Sequence, residues 1–341
     1  MRLSILGEPK GGAKVNGRAF FALALALTAA PLFGLEARNI RFRHITPEDG
    51  LSQSTVHAIV QDREGLMWFG TQEGVNRYDG YDFTTFSPDS GDPGSRSMPI
   101  VRALHEDRNG VLWVGTDGGL HRFDRATSKF VRYENDPTNP MSLSNNRVRV
   151  IYEDRDGALW LGTEGGGLNL FDRESETFTR FNHNPSNEAS LSNDYIRSVV
   201  QDREGALWVG TEGGGLNRMD TITGRFRHFV HEPGNRHSIG SDRLRVVYQD
   251  REGALWVGTD DAGLDRFDPE TETFRHFRHD PGAAGSLASD WVRAMRSPEK
   301  RSRMMVIGRI IIAEVNRPVA PRSTSSMVKS VTKAEASDRV K

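Results

Sequence analysis

The stretch IRSVVQDREGALWVGTEGGGLNRMDTITGRFRHFV, residues 196–230, decides the fold. Ile196 to Asp202 is rich in β-branched residues and predicts an extended strand. Asp202-Arg203-Glu204-Gly205 reads as a tight turn, because Asp at the first position can hydrogen-bond the backbone ahead of it and Gly at the fourth tolerates positive φ. Ala206 to Thr211 is continuously apolar, which predicts a second strand buried on both faces. Residues 212–215 (EGGG) turn the chain again, and Leu216 to Asp220 reads as a third strand. After the turn Thr221-Ile222-Thr223-Gly224, Arg225 to Val230 forms a fourth strand with Phe226 and Phe229 as its apolar contacts. Four short antiparallel strands of this kind make one blade.

Working outward, the same unit recurs. Its centre reads GLMWFGT (65–71), GVLWVGT (110–116), GALWLGT (157–163), GALWVGT (205–211) and GALWVGT (253–259). The tryptophans Trp68, Trp113, Trp160, Trp208 and Trp256 are separated by 45, 47, 48 and 48 residues. A sixth unit begins at Ser286 and breaks off after Met295. A period of 40 to 50 residues with several strands per unit indicates a β-propeller, in which neighbouring units bury each other's faces. The expected fold is therefore all-β, with four-stranded antiparallel blades, five full repeats, a partial sixth, and an incomplete ring. The tryptophans are expected to pack blade on blade. Burying an indole is worth on the order of 4–6 kcal/mol as an upper bound, and the repeat can supply the same partner for each ring N–H.

The two ends differ from this body. Residues 1–37 begin with Arg2, Lys10, Lys14 and Arg18 and continue through an apolar run over 19–35. That pattern predicts a secretory signal peptide, with an uncleaved membrane anchor as the alternative. Export suits a chain without cysteine. Residues 39–47 (NIRFRHITP) are similar to the fourth-strand segments 226–233 and 274–281, as in a propeller that closes a blade with strands from both termini. The segment 296–341 carries 11 basic and 4 acidic side chains and residues 1–38 carry 5 and 2, so the net −1 of the whole chain leaves residues 39–295 acidic. This change of sign marks 296–341 as a basic tail, expected to be disordered or non-native, without the amphipathic spacing or aromatic interleaving of a nucleic-acid or membrane segment.

The strings LSQSTVHAIVQDREGLMWFGTQEGVNRYDG (51–80), LSNNRVRVIYEDRDGALWLGTEGGGLNLFD (143–172) and LSNDYIRSVVQDREGALWVGTEGGGLNRMD (191–220) resemble the two-component regulator propeller repeat. The resemblance extends over about residues 39–295 and implies the periplasmic sensor propeller of a membrane-bound receptor. It implies seven-bladed propellers, often two in tandem, then a β-sandwich, a membrane helix and a histidine kinase or diguanylate cyclase output. It also implies ligand sensing, in several cases of carbohydrates. This chain is short of that pattern in blades, and no output domain follows, so it is expected to be a receptor fragment whose signalling catalysis lies elsewhere.

Candidate chemistry is sparse. Asp62, Asp107, Asp154, Asp202 and Asp250 open Asp-x-x-Gly turns; in Asp154-Arg155-Asp156-Gly157 a calcium loop can be considered, but the recurring Asp and Gly are what a turn requires. These aspartates and the five tryptophans are read as structural. His183, His231 and His279 lie 48 residues apart, one per blade, which disperses them rather than gathering a metal site. No metal or cofactor is expected. The runs Gly165–Gly167 and Gly213–Gly215 lack the Lys-Ser/Thr of a phosphate loop and read as turns. There is no Ser-His-Asp set, no paired acids at a fixed spacing, and no kinase or cyclase motif, so the chain is not expected to be an enzyme.

The arginines are more informative. Arg102, Arg149, Arg197, Arg245 and Arg293 start successive inner strands, with His57 at that position in the first unit. The residue after each Gly-Thr is Gln72, Asp117, Glu164, Glu212 or Asp260. In an antiparallel pair those two positions share one edge of the blade, so Arg and acid should ring the same mouth. His57 and Gln72 change together, which suggests pairing, within a blade or across blades. The ring predicts ion pairs, ligand contacts, or both. The leading functional expectation is an exported sensor for an unknown small molecule, such as a carbohydrate. A protein-binding scaffold, using polar loops such as 87–97, and a propeller lyase are the alternatives.

Overall fold

The computed structural model describes residues 45–86, 99–296 and 305–307. The predicted leader (1–37), residues 39–44 of the segment likened to an outer strand, the polar loop 87–97 and most of the basic tail lie outside the described residues.

Five antiparallel four-stranded sheets follow one another in sequence order. The first holds β1 (Val56–Gln61), β2 (Met67–Thr71), β3 (Gly74–Tyr78) and β4 (Phe83–Phe86). The second holds β5 (Val101–Glu106), β6 (Leu112–Thr116), β7 (Gly119–Asp124) and β8 (Lys129–Tyr133). The third holds β9 (Val148–Glu153), β10 (Leu159–Thr163), β11 (Leu168–Asp172) and β12 (Thr177–Phe181). The fourth holds β13 (Ile196–Gln201), β14 (Leu207–Thr211), β15 (Leu216–Met219) and β16 (Phe226–Phe229). The fifth holds β17 (Leu244–Gln249), β18 (Leu255–Thr259), β19 (Leu264–Asp268) and β20 (Thr273–Phe277). A sixth sheet has two strands, β21 (Ala294–Arg296) and β22 (Met305–Ile307), with Ala294 opposite Ile307. The sequence marks the start of this sixth unit but not its second strand, because the Trp-centred motif is absent there. Among the described residues no helix is long and apolar enough to cross a membrane.

Inner strands of consecutive blades pack side by side, β1 on β5, β5 on β9, β9 on β13, β13 on β17 and β17 on β21. No packing of that extent joins β1 to β21 among the described residues. The array is thus five full blades and a partial sixth. Trp68, Trp113, Trp160 and Trp208 face the next blade. Trp160 and Leu168 of the third blade pack on Ile196, Val199, Leu207, Val209 and Phe226 of the fourth, and Trp113 and Trp208 make equivalent clusters. Trp68, Trp113, Trp160 and Trp208 are buried, as expected for blade packing. Trp256 is half-buried, and its ring lies against Phe277 of its own blade.

The Trp-x-Gly-Thr order has a steric cause. A Cβ added at Gly162 would lie 2.5 Å from Cγ2 of Ile196 on the next inner strand, so only glycine lets the blades close. The following Thr163 is fully buried, and its hydroxyl donates to the Gly167 carbonyl at 2.9 Å, fastening the next turn. One outer-strand amide in each of the third, fourth and fifth blades is occupied as well: those of Phe178, Phe226 and Phe274 donate to carbonyls of the preceding connecting loops, at Met141, Ala189 and His237. Occupying edge groups in this way protects a strand from pairing with other chains.

Candidate functional site

The arginine positions lie at a backbone irregularity that recurs in every full blade. Register slips between Val56 and Ala58, Val101 and Ala103, Val148 and Val150, Ile196 and Ser198, and Leu244 and Val246. The extra residues are His57, Arg102, Arg149, Arg197 and Arg245. A β-bulge re-aims the side chain of its extra residue, so each blade presents one basic side chain at one mouth. The periodicity of the sequence could not reveal the bulge, since only the pairing partners show the slip.

Each of these arginines pairs with the acid of its own blade, which settles the pairing left open by the sequence. Arg102 holds Asp117 with two parallel bonds, Nε to Oδ1 at 2.9 Å and an η-nitrogen to Oδ2 at 2.8 Å. Arg149 donates from Nε to Glu164 at 2.9 Å. Arg197 bonds Glu212 and Arg245 bonds Asp260. Arg293 has no carboxylate within ion-pair distance among the described residues; its guanidinium lies 3.7 Å over the Trp291 ring. The Trp291 indole donates to Asp260 at 2.9 Å.

The charges at this mouth act on one another. Burial pushes the Asp117 carboxyl up, but the Arg102 hydrogen bond and the charges of Arg102, Arg149 and Arg147 outweigh it and hold the group below the usual carboxylate range. Burial likewise raises Asp260, and Arg245, Trp291 and Arg243 overcome it. The Asp117 bond raises Arg102. Arg197 is lowered, first by burial and then by Arg245 and Arg149. His57, with no acid opposite, is lowered by burial and then by Arg102 and Arg149, so the first blade contributes a neutral imidazole. Its Nε2 is buried without a hydrogen-bond partner.

At the opposite mouth the polar groups hold blades together. The five turn aspartates do more than turn the chain. Oδ2 of Asp62, Asp107, Asp154, Asp202 and Asp250 accepts the indole N–H of the Trp six residues on, at 2.6–2.8 Å. The other oxygen accepts turn amides, as at Asp154 from Asp156 (3.0 Å) and Ala158 (2.9 Å). Burial raises Asp62, but Trp68, the Leu66 amide and Arg125 prevail and lower it. The arginine after each Asp also recurs in every unit, and the structure gives the reason: Arg63, Arg108, Arg155 and Arg203 donate to carbonyls of the equivalent turn in the next blade. A reading confined to the turn passes over this arginine.

The histidines are dispersed, as expected from their spacing. Nδ1 of His183, His231 and His279 faces the carbonyl of Leu191, Ile239 and Leu287 at 2.8, 2.9 and 2.5 Å, pinning three connecting loops. Among the described residues no group of His, Cys, Asp or Glu is placed to hold a metal ion.

With this geometry in hand, the likeness to known proteins is specific. The two-component regulator propeller model matches residues 50–73, 94–118, 142–165, 190–213 and 238–261. Histidine kinase P4 of Formosa agariphila is 42% identical over 67 residues, 20% of this chain and 4% of the kinase. The extracellular domain ascribed to a hybrid two-component system of B. thetaiotaomicron superposes with a TM-score of 0.61 at 25% identity, over 74% of this chain and 39% of that one. A domain ascribed to a one-component system of the same organism gives 0.58 at 23%, over 75% and 34%. The chain thus spans well under half of each. Five occurrences of the motif on five successive blades establish that this chain is a propeller built of two-component regulator propeller repeats.

Proposed function

We propose that this propeller is the ligand-sensing part of an exported, periplasmic receptor whose membrane-bound parent carries a histidine kinase or diguanylate cyclase output. The ligand is a small anionic or hydroxyl-rich solute, such as a carbohydrate, received at the bulged mouth by Arg102, Arg149, Arg197, Arg245, Arg293 and His57. The observation that carries this reading is the bulge itself. Five inner strands each spend a ladder position to aim a basic or imidazole side chain at one mouth. The arginine–acid pairs do not oppose it, because a guanidinium and a carboxylate fixed side by side offer the donors and acceptors that vicinal hydroxyls need. Likeness to extracellular sensor domains favours the same role.

A protein-binding scaffold and a lyase have less support. The histidines a lyase would draw on are engaged with loop carbonyls. The test is calorimetric titration of the full chain with a panel of neutral saccharides and organic acids, repeated on Arg149→Gln and Arg245→Gln. Binding that is lost in the variants while their melting points stay near the parent value supports the mouth. Binding that is indifferent to every ring residue places the site elsewhere.

A further inference from the structure

We propose that a second ring of side chains at the bulged mouth, Arg147, Tyr195, Arg243 and Trp291, selects a ring-bearing carboxylate. The inference rests on that mouth being the ligand-receiving face. Each of the four stands two residues ahead of a ring arginine. Arg147 and Arg243 are exposed, Tyr195 is 46% exposed and Trp291 40%. In the first two blades the same position holds Thr55 and Ile100. It is therefore a position at which an otherwise regular unit changes its chemistry while keeping the side chain accessible.

The backbone here is a continuous belt. The Glu164 amide donates to the Arg147 carbonyl at 2.9 Å, and Glu164 forms a β-bridge to Tyr195 of the next blade. The Glu212 amide donates to the Tyr195 carbonyl at 2.9 Å, and Glu212 bridges Arg243. The Asp260 amide donates to the Arg243 carbonyl at 3.0 Å. Across the mouth the order is therefore Arg147, Glu164, Tyr195, Glu212, Arg243, Asp260, at one inter-strand spacing per step, so Tyr195 has a guanidinium-bearing residue about 10 Å away on either side. The amides of Gly165 and Gly167 both donate to the Asp194 carbonyl, at 3.1 and 2.9 Å, beside Tyr195. A site on so fixed a frame is organised before the ligand arrives.

The intervening acids are answered by the inner arginines: Glu164 by Arg149, Glu212 by Arg197, Asp260 by Arg245. Arg243 leans on Asp260 at 3.5 Å and Asp261 at 3.9 Å, and its side chain remains half exposed. Arg147, whose charge also acts on Asp117, keeps an exposed side chain that can meet a new anion. Trp291 is fixed by Arg293 over its ring and Asp260 on its N–H, so it forms a wall, and Tyr195 is the open platform. A ring face stacked on Tyr195 with a carboxylate reaching a flanking guanidinium uses both features. A sugar acid and an aromatic acid share that chemistry.

The experiment is titration of the full chain with D-glucuronate, 4-hydroxybenzoate and D-glucose, following tryptophan and tyrosine fluorescence and heat. At least one acid should bind, glucose about tenfold or more weaker, and the acid that binds identifies the source as sugar or aromatic. Tyr195→Ala and Arg147→Gln should each weaken it about tenfold, the strength of one lost charge-assisted or stacking contact. Ile222→Ala, at an exposed site on an outer hairpin, should change nothing. Binding of neither acid, equal binding of glucose, or full binding by both variants would overturn the inference. Neutral-saccharide binding that Arg149→Gln abolishes would keep the mouth as the ligand face while removing carboxylate selection. Failure of every solute would remove both.

Discussion

Replacing one turn aspartate at a time measures how much of the fold hangs on the mouth opposite the bulges. In Asp154→Ala the indole of Trp160 loses its acceptor at 2.8 Å and two turn amides lose theirs at 3.0 and 2.9 Å. Hydrogen bonds to a charged acceptor contribute about 1.5–3 kcal/mol each, and part of that returns because a buried carboxylate no longer needs desolvating; the net loss should be about 3 kcal/mol. Asp107 has the same three partners and a fourth, an η-nitrogen of Arg173 at 2.8 Å. Losing one partner of a buried pair costs about 3–5 kcal/mol. Arg173 is a quarter exposed and keeps Glu153 at 3.1 Å, which brings the extra cost to about 1–2 kcal/mol. Asp107→Ala should therefore be the worse of the two by that margin. Equilibrium urea unfolding followed by tryptophan emission reads both. A cost below about 1 kcal/mol for Asp154→Ala would refute the assignment of the carboxylate as the hub of the turn, and equal costs for the two variants would refute the role of Arg173.

Trp160→Ala should cost about 3–5 kcal/mol, more than Trp256→Ala at its half-buried site and far more than Tyr81→Ala at an exposed turn; near-equal melting shifts would remove the blade-core assignment. Arg197→Ala and Glu212→Ala should each cost about 0.2–1 kcal/mol, and the double variant less than their sum; the Glu164 charge also reaches Arg197, so Arg197→Ala with Glu164→Ala should couple more weakly, and stronger coupling to Glu164 than to Glu212 would contradict same-blade pairing. His57 and His105 are both held below the ordinary 6.5 by burial first, reinforced at His57 by Arg102 and Arg149. Their depressed values mean stability that is full above about 6.5 and lost as pH falls through the folded-state values. The melting point should therefore fall on acidification from neutrality, and His57→Gln with His105→Gln should flatten that slope; an unchanged slope would refute it.

Much of this architecture is legible in the sequence because one unit is written five times. Strand boundaries such as Ile196–Gln201 and Leu207–Thr211 differ from the reading by a residue, since turn residues, apolar runs and glycines all mark the same points. The shared mouth of Arg and acid also follows from antiparallel geometry. Three features did not follow. The bulges at positions such as Arg149 depend on which residue lies opposite, and spacing along one strand does not record that. The Asp–Trp bond depends on the turn folding the carboxylate back over the second strand. The belt that seats Arg147, Tyr195 and Arg243 joins different blades, and its members are unremarkable in any single unit.

The two mouths also differ in how substitutions are tolerated, and this bears on where function resides. At the mouth opposite the bulges the last residue of the inner strand is Gln61, Glu106, Glu153, Gln201 or Gln249. Gln201 and Gln249 donate their own amide to the Gly205 and Gly253 carbonyls at 3.1 and 3.0 Å. Glu106 has no such donor, and Arg125 supplies one to Gly110 at 3.3 Å while pairing with Glu106 at 3.0 Å. Glu153 is paired by Arg173 at 3.1 Å, without the bond to the turn carbonyl, and where Gln stands the arginine position becomes Gly80, Thr221 or Pro269. Changes there come in compensating pairs, as buried polar groups require. At the bulged mouth the outer position passes from Thr55 and Ile100 to Arg147, Tyr195, Arg243 and Trp291 with the belt's backbone bonds still formed at Ile100, Arg147, Tyr195 and Arg243. Stability in a repeat array comes from each unit and its neighbours, so exposed side chains standing on bonds made by backbone alone are free to vary singly. That freedom exists at the mouth where the basic residues converge.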